Sequence, residues 1–337
     1  LKKVLGVDKS PNTMDELLST NVILVFGYIM EKNPVVQLKL KQAAENGAKV
    51  YVINPVGVEV VNFDFAEKVI YTGNNLDALK EIAKYLVDEK DNLSLTNLLE
   101  LKKSLENVFV SDEIKEVASA YNNAKKAMIV FQENVLSVDA ATMIGNIALV
   151  SNHIGAPRDG IVQIKGKNNS QGLVDMGIDK GIEEMANVKA LLCFGEDPCV
   201  LGDDILDNLE FVMTVDTHMT DTCKNSDVVL PGSGPMSVEG TYTNTDGRVQ
   251  FVNKVIDENI EFNNEELARK IASVYEVDLY KVVTKAPLKE NAVESLVVVG
   301  DNVVVDVHKC CDNLMNVIDN RLPKQAKQSE KVSLAEA

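Results

Sequence analysis

The chain has 337 residues, of which 45% are hydrophobic and 25% charged, and its formal net charge is −17. This length predicts about two domains with hydrophobic cores. The acidic charge argues against binding to nucleic acid or to an anionic membrane, since both need basic surfaces. With no apolar stretch long enough to span a membrane and no secretory signal in its first residues, we expect a cytoplasmic protein. Five Cys residues, none in a C-x-x-C pair, predict neither a disulfide scaffold nor a zinc or iron–sulfur site.

Apolar runs that end at a turn and lead into helical periodicity recur along the chain. Strands are predicted over residues 21–26, 49–53, 127–131, 190–194, 211–215 and 228–230. Helices are predicted over 34–46, 76–87, 113–124 and 140–151, the first ending at Gly47 and the third capped by Ser111. Residues 88–105 are polar and Leu-rich, which is typical of a helical insertion or a surface segment. Strands that alternate with helices predict a doubly wound α/β fold with mainly parallel sheets.

This pattern divides the chain into three predicted parts. Residues 1–125 form an α/β half of the dinucleotide-binding type, and residues 126–285 form a second α/β half. Residues 286–337 contain two apolar runs around Gly300-Asp301-Asn302, which predicts a hairpin, and then a polar tail.

Loops that follow predicted strands hold the candidate binding residues, because ligands of open α/β sheets lie at the carboxyl ends of the strands. Glycine lets backbone N–H groups approach a phosphate, amides and hydroxyls bind a polar heterocycle, and Asp216 can accept from a guanine or a ribose. The candidates are Gly27, Asn54, Lys165, Gly166, Asn168, Asn169, Gln171, Gly195, Asp197, Asp216, Thr217, Thr222, Glu239, Thr241, Asn244 and Arg248. The alternative is that these residues are turn formers, and that Glu239 and Arg248 pair with each other.

No constellation for acid–base or nucleophilic catalysis is apparent, so we predict no catalytic residue and no metal ligand. His218 beside Asp216 is a candidate site or a polar loop residue. A metal at His308, Cys310 and Cys311 is a weaker hypothesis. No G-x-G-x-x-G or P-loop is present, which argues against ordinary NAD or NTP binding.

Three segments together resemble the molybdopterin oxidoreductase superfamily, which contains formate dehydrogenases, nitrate reductases and dimethyl sulfoxide reductase. Lys165–Gly172 with Asp175-Met-Gly177 is similar to its Asn-Asn-x-Gln-Gly…Asp-Met-Gly motif, and Ser226–Pro231 with Glu239–Arg248 resembles its most recognisable block. Gly195-Glu-Asp-Pro198 resembles the version in the large peripheral-arm subunit of complex I (NADH dehydrogenase), whose molybdopterin-like domain is degenerate. The resemblance implies that family's α/β core, without its N-terminal iron–sulfur segment and C-terminal barrel.

Departures from the family pattern bear on function. The second strand ends in Ile53-Asn-Pro-Val56 where the family has Ile-Asp-Pro-Arg, and Lys165 stands where the family has Arg. A lysine does not form the bidentate fork of an arginine. These losses favour a chain that no longer holds the family's cofactor.

Two functions remain open. In the first, the chain is a scaffolding subunit without its own redox centre or cofactor in a cytoplasmic NADH- or ferredoxin-linked electron-transfer complex. Its partners are then subunits that carry flavin and iron–sulfur clusters. In the alternative, it is the cofactor-binding part of a split formate-dehydrogenase-like enzyme and binds molybdopterin guanine dinucleotide with Mo or W.

Overall fold

The computed structural model describes residues 2–5, 8–27, 33–58, 60, 63–90, 97–178, 187–202 and 204–276. These residues form two compact units. The first unit comprises described residues up to 172 together with 243–249, and the second comprises described residues within 173–242 and 250–276. The predicted hairpin and polar tail of residues 286–337 lie outside the described residues.

Strands and helices alternate along most of the described chain. The strands are β1 Val22–Phe26, β2 Lys49–Pro55, β3 Lys68–Thr72, β4 Ala127–Gln132, β5 Gly160–Ile164, β6 Ala190–Phe194, β7 Phe211–Asp216, β8 Val228–Pro231, β9 Gly240–Thr243 and β10 Val249–Val252. The helices are α1 Lys2–Leu5, α2 Pro34–Glu45, α3 Asn75–Asp88, α4 Leu98–Ser104, α5 Asp112–Asn122, α6 Val138–Ser151, α7 Ser170–Asp175, α8 Asp221–Lys224 and α9 Asn264–Val274. Short 3-10 turns are present at Met14–Ser19, Glu133–Val135 and Pro198–Leu201.

A five-stranded parallel sheet in the order β3-β2-β1-β4-β5 forms the centre of the first unit. Residues of α3, α5 and α6 pack on one face of this sheet, and residues of α2 pack on the other. Because both faces are covered, β1 and β4 are buried along their whole length. The predicted doubly wound α/β fold with parallel sheets is confirmed. Strands β3 and β5 were not predicted.

Local sequence signals explain where several helices begin and end. Pro34 occupies the first turn of α2, and Gly47 after its end has a φ of +96°, which suits glycine. Asn74 caps α3 and Ser137 caps α6, each through its side-chain oxygen. Ser111 is the N-cap residue of α5, as predicted, but its hydroxyl donates to Glu81 Oε2 at 2.8 Å and makes no capping bond to the helix.

The second unit contains a three-stranded parallel sheet in the order β6-β7-β8. Its three strands were predicted, with bounds that differ by one residue at most. Strands β9 and β10 pair as a two-stranded sheet, and α9 begins with a capping box between Asn263 and Glu266. The sequence interpretation missed β9, β10 and α9.

The division between the units differs from the predicted one. A boundary after residue 125 would fall inside the first sheet, because β4 and β5 pair with β1 and with each other. The structure places the change of unit after Gly172. No helix among the described residues is both long and apolar enough to cross a bilayer.

Candidate functional site

The carboxyl edge of the first sheet is the expected ligand position, because the strand order reverses between β1 and β4. Gly27 follows β1 there with a φ of +94°. Its N–H donates to Asn54 Oδ1 at 3.0 Å, so two predicted site residues are in contact. A Cβ at Gly27 would lie 2.7 Å from Val135 Cγ2 and 3.2 Å from Gln132 Cβ. The space in front of Gly27 is therefore filled by the protein's own side chains.

Lys165 follows β5, and its buried ammonium lies between two partly exposed carboxylates. Its Nζ lies 2.9 Å from Asp8 Oδ1 and 3.0 Å from Glu133 Oε2, and its side chain is only 5% exposed. Gln163 Nε2 also donates to Asp8 Oδ1 at 2.9 Å. Burial opposes the charge of Asp8, but the hydrogen bond and charge of Lys165 hold its pKa below the usual 3.8. The Lys165 ammonium is thus already neutralised by two carboxylates.

Segment 168–172 is joined to segment 243–248, so the structure brings the two most family-like motifs together within the first unit. Asn169 Oδ1 accepts from the Thr243 N–H at 2.9 Å. Thr245 Oγ1 accepts from the Lys165 N–H at 2.8 Å and donates to the Gln163 carbonyl at 3.1 Å. These contacts connect residues 243–245 to the end of β5 and to the loop that follows it.

Other predicted residues of these two segments differ in exposure and partner. Gly166 and Asn168 are exposed, whereas Gln171 is buried. Asn244 Oδ1 accepts from the Arg248 N–H at 2.8 Å, which closes the turn. Arg248 Nη2 lies 3.0 Å from Asp15 Oδ2, so the alternative that it pairs with Glu239 is wrong.

In the second unit, Gly195 and Asp197 follow β6. Asp197 Oδ1 accepts from both the N–H and the hydroxyl of Thr222, so these predicted residues are in contact. The hydroxyl of Thr222, which is fully buried, also accepts from the Cys199 N–H at 3.2 Å. The Thr222 hydrogen bond lowers the pKa of Asp197. Gly195 has a φ of +64°, and a Cβ there would meet open space.

Asp216 is the last residue of β7 and shapes the loop that follows. Its Oδ1 accepts from the His218 N–H at 3.0 Å, and His218 Nδ1 lies 2.7 Å from Thr217 Oγ1. A Cβ at Gly232 would approach the Asp216 backbone to 3.1 Å, so only glycine fits there without a shift. Glu239 and Thr241 are exposed.

The sequence interpretation missed Asp8 and Glu133, which bind Lys165, and Gln163, which donates to Asp8. Glu133 directly follows β4 and was available to the same strand-end argument that gave the other candidates. Gln163 and Lys165 are two residues apart around the end of β5, so they share a face. Asp8 gave no local signal, because its contact with Lys165 spans most of the first unit.

A metal site at His308, Cys310 and Cys311 lies outside the described residues. Within the described ranges, no group of three or more His, Cys, Asp or Glu side chains is arranged to hold a metal ion.

Residues 8–265 match the family described as Molybdopterin oxidoreductase. The chain belongs to this family. The F420-dependent formate dehydrogenase 2 subunit alpha of Methanococcus maripaludis is 26% identical over 76% of this chain and 47% of its own length. Formate dehydrogenase H of Escherichia coli is 23% identical over 76% of this chain and 45% of its own length. The NADPH-Fe(3+) oxidoreductase subunit alpha of Geobacter sulfurreducens is 23% identical over 76% of this chain and 37% of its own length.

Two solved structures share the fold. Acetylene hydratase from Pelobacter acetylenicus superposes with a TM-score of 0.56 and 16% identity, over 77% of this chain and 49% of that one. A chain of the formyltransferase/hydrolase complex from Methylorubrum extorquens superposes with a TM-score of 0.55 and 12% identity, over 82% of this chain and 80% of that one. This molybdopterin oxidoreductase chain spans about half the length of the curated relatives it matches.

A molybdopterin dinucleotide carries an anionic pyrophosphate, which proteins bind through free backbone N–H groups and cations. In the described part of the first unit, the Gly27 N–H is bound by Asn54, and Lys165 and Arg248 are paired with carboxylates. These residues do not fit a pyrophosphate. In the second unit Gly195 is open, but the nearby strand-end side chains Asp197 and Asp216 are acids.

Proposed function

We propose that this chain is a structural member of an electron-transfer complex linked to NADH or ferredoxin, without a redox centre or pterin of its own. Its partners are subunits that carry flavin and iron–sulfur clusters. The observation that carries the proposal is that side chains of the family motif are already bound to other groups of this chain. Lys165 binds Asp8 and Glu133, and Asn169 binds Thr243.

Electrostatics support this proposal. A pyrophosphate brought to Lys165 would have to displace two carboxylates that lie within 3.0 Å of its ammonium. Removing the buried ammonium leaves two partly exposed carboxylates uncompensated, which costs about 2–4 kcal/mol. The family motif is then retained because it builds the loops, and not because it holds a ligand.

The relatives support the setting of the proposal. Two of the similar proteins are named as alpha subunits, one of an F420-dependent formate dehydrogenase and one of an NADPH-Fe(3+) oxidoreductase. By analogy with these relatives, we propose that this chain also assembles with subunits that transfer electrons. We do not transfer their substrates to this chain.

Two conservative variants test the proposal in the natively purified complex. Asp216→Asn keeps the oxygen that accepts from the His218 N–H and removes the charge, and Asn168→Ala changes an exposed side chain. We expect complex assembly and the rate of electron transfer to equal those of the wild type for both variants. A large loss of electron transfer with assembly intact would overturn the proposal.

The second candidate function is binding of molybdopterin guanine dinucleotide by the loops of the second unit. It is favoured by the open space at Gly195 and by Asp216 at the end of β7, where a carboxylate accepts from a ribose or a guanine in this class of fold. Under this alternative, Asp216→Asn releases pterin and metal from the purified protein.

A further inference from the structure

Exposed apolar side chains lie together at one place in the second unit. The carbonyl oxygen of Met236 accepts from the N–H of Val255 at 2.8 Å and from the N–H of Ile256 at 3.1 Å, so these three residues are neighbours. Met236 is 60% exposed, Val255 is 73% exposed and Ile256 is 49% exposed. Single exposed apolar residues are normal on a protein surface, but an adjacent group of them is typical of an interaction site. We call these three residues the apolar patch.

The apolar patch is held in place by polar contacts of the chain around it. Glu258 accepts from the Gly234 N–H through both carboxylate oxygens, at 3.0 and 3.2 Å, which joins the segment before Met236 to the segment after Ile256. Ser237 Oγ donates to the Gly234 carbonyl at 2.8 Å. A Cβ at Gly234 would lie 2.7 Å from Glu258 Oε1, so the approach of the two segments needs a glycine. The patch is therefore preorganised, which lowers the entropic cost of binding a partner.

The surroundings of the apolar patch are acidic. Lys254 directly precedes Val255, and its Nζ lies 2.6 Å from Asp257 Oδ1. The hydrogen bond and charge of Asp257, together with the charges of Glu239 and Glu258, raise the pKa of Lys254. Three carboxylates therefore act on this ammonium next to the patch. Acidic residues also far outnumber basic ones among the described residues of the second unit.

We propose that the apolar patch binds a basic segment of a partner subunit, one that carries apolar side chains flanked by lysine or arginine. This inference rests on the proposed function, which places the chain among subunits that transfer electrons. The apolar side chains of the partner cover Met236, Val255 and Ile256, and its cations lie opposite the surrounding carboxylates. An interface centred on three side chains is small, and interfaces between electron-transfer partners are among the smallest specific ones.

Other occupants fit the charge of this surface less well. A second copy of the chain would bring one acidic surface against another, and like charges oppose such an interface. The same repulsion opposes a nucleic acid and an anionic membrane. A basic partner gains from the carboxylates near Lys254 as well as from the acidic character of the whole second unit.

A pair of matched variants tests the location of the docking surface. Val255→Glu places a charge in the apolar patch, and Val200→Glu makes the same change at another exposed valine of the second unit. We expect the affinity of the full chain for the copurifying subunits to fall about tenfold or more with Val255→Glu and to stay within about twofold with Val200→Glu. Urea unfolding should be the same for both variants and the wild type, because both side chains are exposed. An unchanged affinity of Val255→Glu, or an equal loss for both variants, would overturn the proposal.

The charge of the partner has its own test. The Asp257 side chain is 93% exposed, and Asp257→Lys replaces a carboxylate by a cation beside the patch. We expect this variant to associate with the copurifying subunits several-fold more slowly than the wild type at low salt, with a smaller difference at high salt. Faster association of Asp257→Lys would indicate an acidic partner and would overturn the proposal.

Photo-crosslinking in the natively purified complex identifies the occupant. We expect Val255→benzoylphenylalanine to crosslink, on illumination, to a peptide of a copurifying subunit that contains apolar residues and lysine or arginine. Crosslinks only to another copy of this chain, only within this chain, to an acidic peptide, or to no peptide would overturn the proposal. If no subunit copurifies with the wild-type chain, this inference and the proposed function both fail. If the complex assembles and position 255 takes no part in it, this inference alone fails.

Discussion

The side-chain oxygen of Asn169 accepts a hydrogen bond from the backbone N–H of Thr243 at 2.9 Å, across 74 residues of sequence. Asn169 holds this contact with a φ of +59°, which is the left-handed region. The contact joins the two segments that most resemble the family's cofactor motifs. In this chain the motif asparagine therefore has a structural role, because it connects two distant segments of the first unit.

Replacing Asn169 should lower the stability of the first unit. We expect Asn169→Ala to lower the free energy of unfolding by about 1–3 kcal/mol, because the Thr243 N–H loses its partner and alanine is strained at positive φ. Asn168→Ala is the matched control at an exposed neighbour, and its effect should stay within about 0.5 kcal/mol. Urea unfolding of both variants measures the difference, and equal effects would contradict the structural role of Asn169.

Gly172 lies so close to Asn169 that a side chain at position 172 would clash with it. A Cβ at Gly172 would lie 2.2 Å from Asn169 Oδ1, so Gly172→Ala must displace the side chain that binds Thr243. In the double variant Asn169→Ala with Gly172→Ala, that obstruction is absent. We expect the double variant to cost less than the sum of the single variants, by about 1 kcal/mol or more. Simple additivity in a double-mutant cycle would argue against the coupling.

Lys165 should matter far more to stability than an exposed lysine with a similar partner. Lys165→Met leaves Asp8 and Glu133 without their cation and should cost about 2–4 kcal/mol, since Glu133 retains partial access to water. Lys189 pairs with Glu210, but both side chains are well exposed, so Lys189→Met should cost less than about 1 kcal/mol. Comparable losses from both variants would show that the burial of the Lys165 ammonium does not raise its contribution.

The lowered pKa of Asp8 predicts an acid-sensitive component of stability. Because the folded-state pKa lies below the ordinary 3.8, the unfolded chain binds the proton first as the pH falls. The stabilisation is therefore fully present well above pH 3.8 and is lost as the pH falls through the folded-state pKa. The difference in unfolding free energy between the wild type and Asp8→Asn should be constant near neutrality and shrink below that value. A difference that grows as the pH falls would contradict the assignment.

Strands with uninterrupted apolar runs could be predicted from the sequence. Strands β1 and β4 were found because they are buried on both faces. Strand β3 lies at the edge of its sheet with mixed burial, and β5 contains the polar Gln163, so neither shows an apolar run. Their place in the sheet follows from pairing with β2 and β4, which is a tertiary contact.

The same was true of the candidate site: several of its residues could be identified from the sequence, but their distant partners could not. Asp197 and Asp216 could be identified because β6 and β7, which precede them, were predicted from the sequence. Lys165 was identified only as part of a polar loop, since β5 was not predicted. The groups that these residues bind could not be identified. The partner of Arg248 is Asp15, which is 233 residues away in sequence, and no local pattern encodes such a contact.

Pterin, molybdenum and tungsten analysis of the natively purified protein, with whatever subunits accompany it, distinguishes a structural chain from a cofactor-binding one. We expect no pterin and no Mo or W attributable to this chain, together with flavin and iron in the copurifying subunits. Wild-type protein and Asp216→Asn should then give the same values. About one pterin and one Mo or W per chain, lost on Asp216→Asn, would contradict the structural role and establish the chain as a cofactor-binding one.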